Sequence, residues 1–179
     1  WEIENDDPEY PSAFMDLANP PEVIYGLGDA ACLQAPCIGI IGARRATPYG
    51  LAIASMAGRV AAEGGVCVVS GGAMGCDSSA GRATLAAGGT TIVVSGCGAD
   101  TVYPSSSEDV FRGAAEGGGA VISAERWGMG PRRYAFPKRN ALIAALSRCL
   151  IVTEAGPRSG TMGTVDAAIE LGRTVYSIP

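Results

Sequence analysis

The sequence predicts a doubly wound α/β domain, a mainly parallel sheet with helices on both faces. Three observations carry that expectation. Short continuous apolar runs recur from Cys37 onwards, helix-length amphipathic segments separate them, and glycines punctuate the ends of the runs. Runs of this kind suit strands covered on both faces, and their regular alternation with helices calls for a parallel sheet in three layers.

Residues 1–36 read as a lead-in packed on the domain. Pro8, Pro11, Pro20 and Pro21 interrupt it, and Val23-Ile24-Tyr25 is its only strand signal. The regular part occupies 37–179. Cys37–Gly42 predicts a strand and Tyr49–Glu63 a helix that ends at Gly64-Gly65. Val66–Ser70 is the next strand, followed by a helix over Asp77–Ala87 with Asp77 as its N-cap. Strand Thr91–Ser95 precedes helix Ser106–Glu116, and strand Ala120–Ser123 precedes helix Lys138–Leu146. Strand Cys149–Thr153, helix Thr161–Leu171 and strand Thr174–Ser177 complete the series.

Composition narrows the class. Apolar residues make up 47% and charged residues 17% of 179 residues, enough for one real core and against disorder. No apolar run approaches the roughly 20 residues of a membrane helix, and the acidic start Trp1–Asp7 is unlike a signal peptide. A cytoplasmic protein is expected. The first residue is not Met and the end falls in a strand-like stretch, so the sequence reads as a piece of a longer protein whose flanking domains are missing. There is no histidine, and the six cysteines show no C-x-x-C spacing, which argues for free thiols and against a metal site.

Net charge is −5 and the pI about 4.7, which counts against a generic nucleic-acid binder. The cations are one lysine and twelve arginines, a bias toward the planar fork that grips phosphate. In a doubly wound sheet the ligand lies outside the carboxyl ends of the strands. Those ends carry Gly42-Ala43-Arg44, then Ser70-Gly71-Gly72-Ala73, then Gly96-Cys97-Gly98. Further on come Arg126, Arg132 and Arg133, then Phe136-Pro137-Lys138-Arg139-Asn140, and last Arg158-Ser159-Gly160-Thr161. Arg44, Arg132, Arg133, Lys138, Arg139 and Arg158 thus fall on one rim, where glycines and helix N-termini let a backbone approach an anion. Taken singly, each strand-end glycine has a plainer reading as a tight turn. Gly96-Cys97-Gly98 lacks the dinucleotide spacing, and the phosphate-loop signature G-x-x-x-x-G-K-[ST] is absent. With no histidine, a serine or cysteine nucleophile would need Lys138 or a carboxylate as its base.

Together these segments resemble the Rossmann-like core of the DNA-processing protein A family, also called Smf. The residues that carry the resemblance begin with Tyr10-Pro11, Pro20-Pro21, Ile24-Tyr25 and Gly28-Asp29. They continue with Gly42-Ala43-Arg44, Tyr49-Gly50, Ser70-Gly71, Ala73, Gly75, Asp77, Gly96-Cys97-Gly98, Asp100 and Tyr103-Pro104. Ser123, Glu125, Phe136-Pro137, Arg139-Asn140, Glu154-Ala155 and Ser159-Gly160 complete the set. The resemblance implies a binder of single-stranded DNA in natural transformation, a mediator that loads the RecA recombinase, and a homodimer without cofactor, metal or catalytic activity. It implies Arg44 and Lys138 as principal phosphate contacts. Gly42, Ser70, Gly71, Gly72, Ala73, Arg139, Asn140, Ser159, Gly160 and Thr161 would form the pocket, with Arg132 and Arg133 as added cations. Phe136 or Tyr134 offers either a base-stacking face or lid packing. Four positions depart from the family pattern: Gly81 replaces a histidine, Cys76 an isoleucine, Ala141 an arginine and Gly72 a leucine.

Two other readings belong beside this one. A small-nucleotide carrier would use the same rim. A phosphoribohydrolase-like enzyme acting on nucleoside monophosphates would need a glutamate where Ala167 stands, so Glu154 or Asp166 would have to take its place.

Overall fold

A computed structural model describes residues 1–156 and 159–178. β-Branched and apolar runs become strands wherever both of their faces are covered. Strands β4 (Cys67–Ser70), β5 (Thr91–Val94) and β6 (Ala120–Ser123) are buried at every position, and β3 (Cys37–Ile41) at nearly all. With β1 (Glu2–Glu4), β2 (Val23–Gly28), β7 (Ser147–Val152) and β8 (Thr174–Ser177) they form one sheet in the order β1-β2-β6-β5-β4-β3-β7-β8. All pairings from β6 to β8 are parallel, whereas β1 and β2 join antiparallel. The doubly wound, mainly parallel class expected from the sequence is the one observed.

Helices cover both faces. On one, α1 (Pro48–Glu63), α2 (Cys76–Ala86) and α3 (Glu108–Glu116) bury Ile40, Val68, Val93 and Val121 with Ala54, Ala80, Val110 and Phe111. On the other, α4 (Ala135–Leu146) and α5 (Thr161–Glu170) bury Ile41, Val69, Ile92, Val94 and Ile122. The lead-in joins this second layer through Tyr10, Phe14, Ile24 and Leu33.

Several boundaries differ from the sequence expectation, each for a local reason. Strand β1 was not foreseen, because only Ile3 of its three residues faces inward. It is held by the ladder to β2 and by Trp1, whose terminal ammonium donates to the Gly26 carbonyl at 3.0 Å and whose indole donates to that of Gly28 at 2.9 Å. Helix α3 starts at Glu108 after a 3-10 turn over Ser105–Ser107. Helix α4 starts at Ala135, earlier than Lys138, with Pro137 in its first turn where a missing N–H costs nothing. Among the described residues no helix is long and apolar enough to cross a membrane.

Candidate functional site

From β3 the chain steps through β4 and β5 to β6 on one side, then returns through α4 to β7 and β8 on the other. The loops after β3 and β7 diverge at this switch of direction, which opens a crevice outside their carboxyl ends. A cavity of about 660 Å³ lies there. Gly42, Arg44, Ala73, Arg133, Arg139, Asn140, Ser159, Gly160 and Thr161 line it, and so do Arg45 and Phe136.

The floor is set by Arg139 on α4 and Asp77 on α2, both buried. Asp77 is a correction to the sequence reading. The helix begins at Cys76 with Gly75 as its cap, so Asp77 lies inside the first turn and caps nothing there. Its carboxylate reaches across to other strand ends and accepts the N–H of Gly42 at 3.3 Å and of Gly71 at 3.1 Å. One side chain therefore ties the ends of β3 and β4 together. Burial pushes the Asp77 carboxyl above the usual carboxylate range, while Arg139 and the backbone donors pull it back. Burial likewise lowers Arg139, the Asp77 charge opposes that shift, and Arg44 adds to it. Arg139 Nε is buried with no hydrogen-bond partner among the described residues. Gly71 has to be glycine for this arrangement, because a Cβ there would fall inside the Arg139 guanidinium and 2.9 Å from Asp77 Oδ2.

Above the floor, Phe136 forms a plate among cations. The Cζ atoms of Arg44 and Arg139 lie 5.6 and 6.0 Å from its ring centroid, and Tyr103 packs at 5.9 Å. The α5 side is closed by a short polar chain: Asn140 Nδ2 donates to the Gly160 carbonyl, Ser159 Oγ to Thr161 Oγ1, and Thr161 Oγ1 to the Gly42 carbonyl at 3.0 Å.

Other expected site residues fall elsewhere. Ser70 is buried and donates its hydroxyl to the Ile40 carbonyl at 2.7 Å, so it lies behind the cavity wall. Gly71 and Gly72 are behind it too, Gly72 with φ +63° against Phe111 and Val93. Arg132 and Lys138 are exposed outside the cavity. Lys138, expected with Arg44 as a principal phosphate contact, lines a neighbouring groove with Arg126 and Glu125, its Nζ 5.3 Å over the Tyr134 ring. Arg158 lies outside the described residues.

Sequence reasoning missed Arg45 as a lining residue and missed what the motif carboxylates do. Glu154 accepts from the Thr47 N–H at 3.0 Å and its hydroxyl at 2.6 Å, which holds the loop that carries Arg44. Asp100 accepts the Gly128 N–H at 2.8 Å, and Ser123 Oγ bridges Cys97 and Glu125. These residues position the loops around the crevice. Asp166 is exposed on α5 and does not line the cavity. Among the described residues no group of three or more candidate ligands could hold a metal ion.

Comparison with known proteins follows the same line. The family model for DNA recombination-mediator protein A matches residues 2–179. Protein Smf of Synechocystis sp. is 38% identical over 179 residues, covering 97% of this chain and 44% of its own length. The X-ray structure of DNA processing protein A from Streptococcus pneumoniae superposes with a TM-score of 0.92 at 32% identity, over 100% of this chain and 62% of that one. The Helicobacter pylori protein, whose structure describes a single-stranded DNA binding mode, gives 0.90 at 33% identity over 100% of this chain and 80% of its own. The chain thus spans less than half of the Synechocystis relative. With the model covering nearly every residue and the fold reproduced throughout, the chain belongs to the DNA recombination-mediator protein A family, also known as DNA-processing protein A or Smf.

Proposed function

We propose that this chain binds the sugar–phosphate backbone of single-stranded DNA in the crevice between β3 and β7. In the whole protein this would serve to load RecA on incoming strands during natural transformation, with the core forming a homodimer. The observation that carries the reading is the buried Arg139, its Nε unpartnered among the described residues, beneath a cavity whose mouth holds Arg44, Arg45 and Arg133 in a chain of net charge −5. Arginine forks and the first N–H groups of α5 suit phosphate oxygens, and no feature of the cavity asks for a particular base. Relatives support it: the family is described as a recombination mediator, and the Helicobacter pylori protein binds single-stranded DNA.

The phosphoribohydrolase reading gains nothing from the geometry. Asp77 is the only carboxylate among the described lining residues, and it is held by two backbone N–H groups within the field of the Arg139 charge. Glu154 is engaged by Thr47.

Fluorescence anisotropy with labelled oligonucleotides of unrelated sequence at several salt concentrations tests the proposal. Binding should be similar for all sequences, with log Kobs falling by about 0.7 per decade of salt for each phosphate neutralised. An interaction that is absent or indifferent to salt would overturn it.

A further inference from the structure

The end of the sheet opposite the crevice carries a pair of thiols that the DNA-binding reading does not use. Cys37 opens β3, Cys67 opens β4, and the two are directly paired in the parallel ladder. Paired residues of neighbouring strands point to the same face, and both side chains are buried in the same apolar cluster beneath α4. Neighbouring strands lie about 4.8 Å apart, within the Cα separations that a disulfide spans. Both cysteines are free.

We propose that Cys37 and Cys67 are a dithiol that a peroxide oxidises to an intramolecular disulfide, stapling β3 to β4 at their amino ends. Cys37 is the residue oxidised first and Cys67 the resolving one. Cys37 lies on the floor of a cleft of about 400 Å³ with Leu33, Ala35, Ser147 and Arg148, which gives a small oxidant an approach. The hydrogen bond from Cys67 holds the Cys37 thiol below its ordinary range, and that same bond together with burial pushes Cys67 up, so the thiolate forms on Cys37. Its sulfur attacks one peroxide oxygen, giving a sulfenic acid and water. The Cys67 sulfur then displaces that hydroxyl, its proton leaving with it as a second water. The sum is two thiols and one hydrogen peroxide to one disulfide and two waters. Cys32 is the competing thiol. It is buried in the same cluster, but it sits on the 3-10 segment Ala30–Gln34 and not in the ladder position opposite Cys37, which Cys67 holds.

The test oxidises the folded 179-residue chain with hydrogen peroxide, removes the oxidant, alkylates the remaining thiols in denaturant and maps peptides without reduction. The expected product joins the Cys37 and Cys67 peptides with the loss of two hydrogen atoms and is undone by dithiothreitol. It should still form in Cys32→Ser and be absent from Cys67→Ser. The oxidised chain should keep a cooperative melt, with Tm raised by roughly 5–10 °C over the reduced chain, since the bond closes the loop between residues 37 and 67. Recovery of Cys37 and Cys67 as alkylated thiols, a bond from either to Cys32, or linkage only in chains that no longer melt cooperatively would overturn the proposal.

Discussion

Replacing Asp77 by alanine removes the side chain that ties the ends of β3 and β4 together and sets a negative charge near Arg139 of α4. Two backbone donors, the N–H groups of Gly42 and Gly71, lose their acceptor in a buried setting, and the Arg139 guanidinium loses its counter-charge. Each stranded donor costs about 1–3 kcal/mol, and leaving the buried Arg139 charge without the neighbouring carboxylate adds to that. The terms overlap, because the freed guanidinium can shift toward the crevice and water can reach the donors, so a loss of about 4 kcal/mol is expected at neutral pH. For a chain of this size that lowers Tm by roughly 8–16 °C. Urea denaturation of Asp77→Ala, Arg139→Met and the double variant reads it out. The double variant buries no unpaired charge, so its loss should fall short of the sum of the two single losses by about 2 kcal/mol or more. Additive losses, or an Asp77→Ala loss below about 1 kcal/mol, would refute the assignment of Asp77 as a charged tie.

Three further outcomes follow from the same geometry. Arg133 lines the cavity and Lys138 the neighbouring groove, so Arg133→Ala should weaken single-stranded DNA binding about tenfold by anisotropy, and Lys138→Ala clearly less. Gly75 holds φ +84°, and a Cβ there would lie 2.7 Å from the Arg44 carbonyl oxygen; Gly75→Ala should cost about 1–3 kcal/mol and weaken DNA binding, and an unchanged Tm would contradict it. The Tyr10 phenol, which donates to the Pro21 carbonyl at 2.7 Å, is pushed by burial from its ordinary value of 10.0 up to about 12. Its raised value means that the folded chain keeps a proton the unfolded chain loses, so this stability is whole below pH 10 and is lost as pH rises through 12. Denaturation curves of the chain and of Tyr10→Phe should converge over that window, and parallel pH profiles would rule this out.

The alternation of apolar runs with amphipathic segments made the parallel sheet and its helices legible, because those patterns depend on local burial. The strand-end arginines were legible for a related reason: in this fold the loops after the strands gather at one edge whatever their length. Long-range contacts were not. Strand β1 depends on Trp1 closing over Gly26, and nothing in Trp1–Glu4 announces a partner more than twenty residues away. Asp77 looked like a helix cap because caps are a local signal, yet its partners are on two other strands. Lys138 and Arg139 are adjacent in sequence but diverge on α4, one exposed beside Tyr134 and one buried under the cavity. Only the helical phase separates them, and starting α4 at Ala135 sets that phase.

The central claim is that the arginines at the β3/β7 crevice hold phosphate, and the salt dependence of the Arg44→Ala variant tests it most directly. Arg44 is exposed at the mouth of the cavity, so the substitution should leave Tm essentially unchanged. The account predicts lower affinity for every oligonucleotide alike and a log–log salt slope shallower by about 0.7, the signature of one lost phosphate contact. An unchanged slope, or a loss confined to particular sequences, would contradict it.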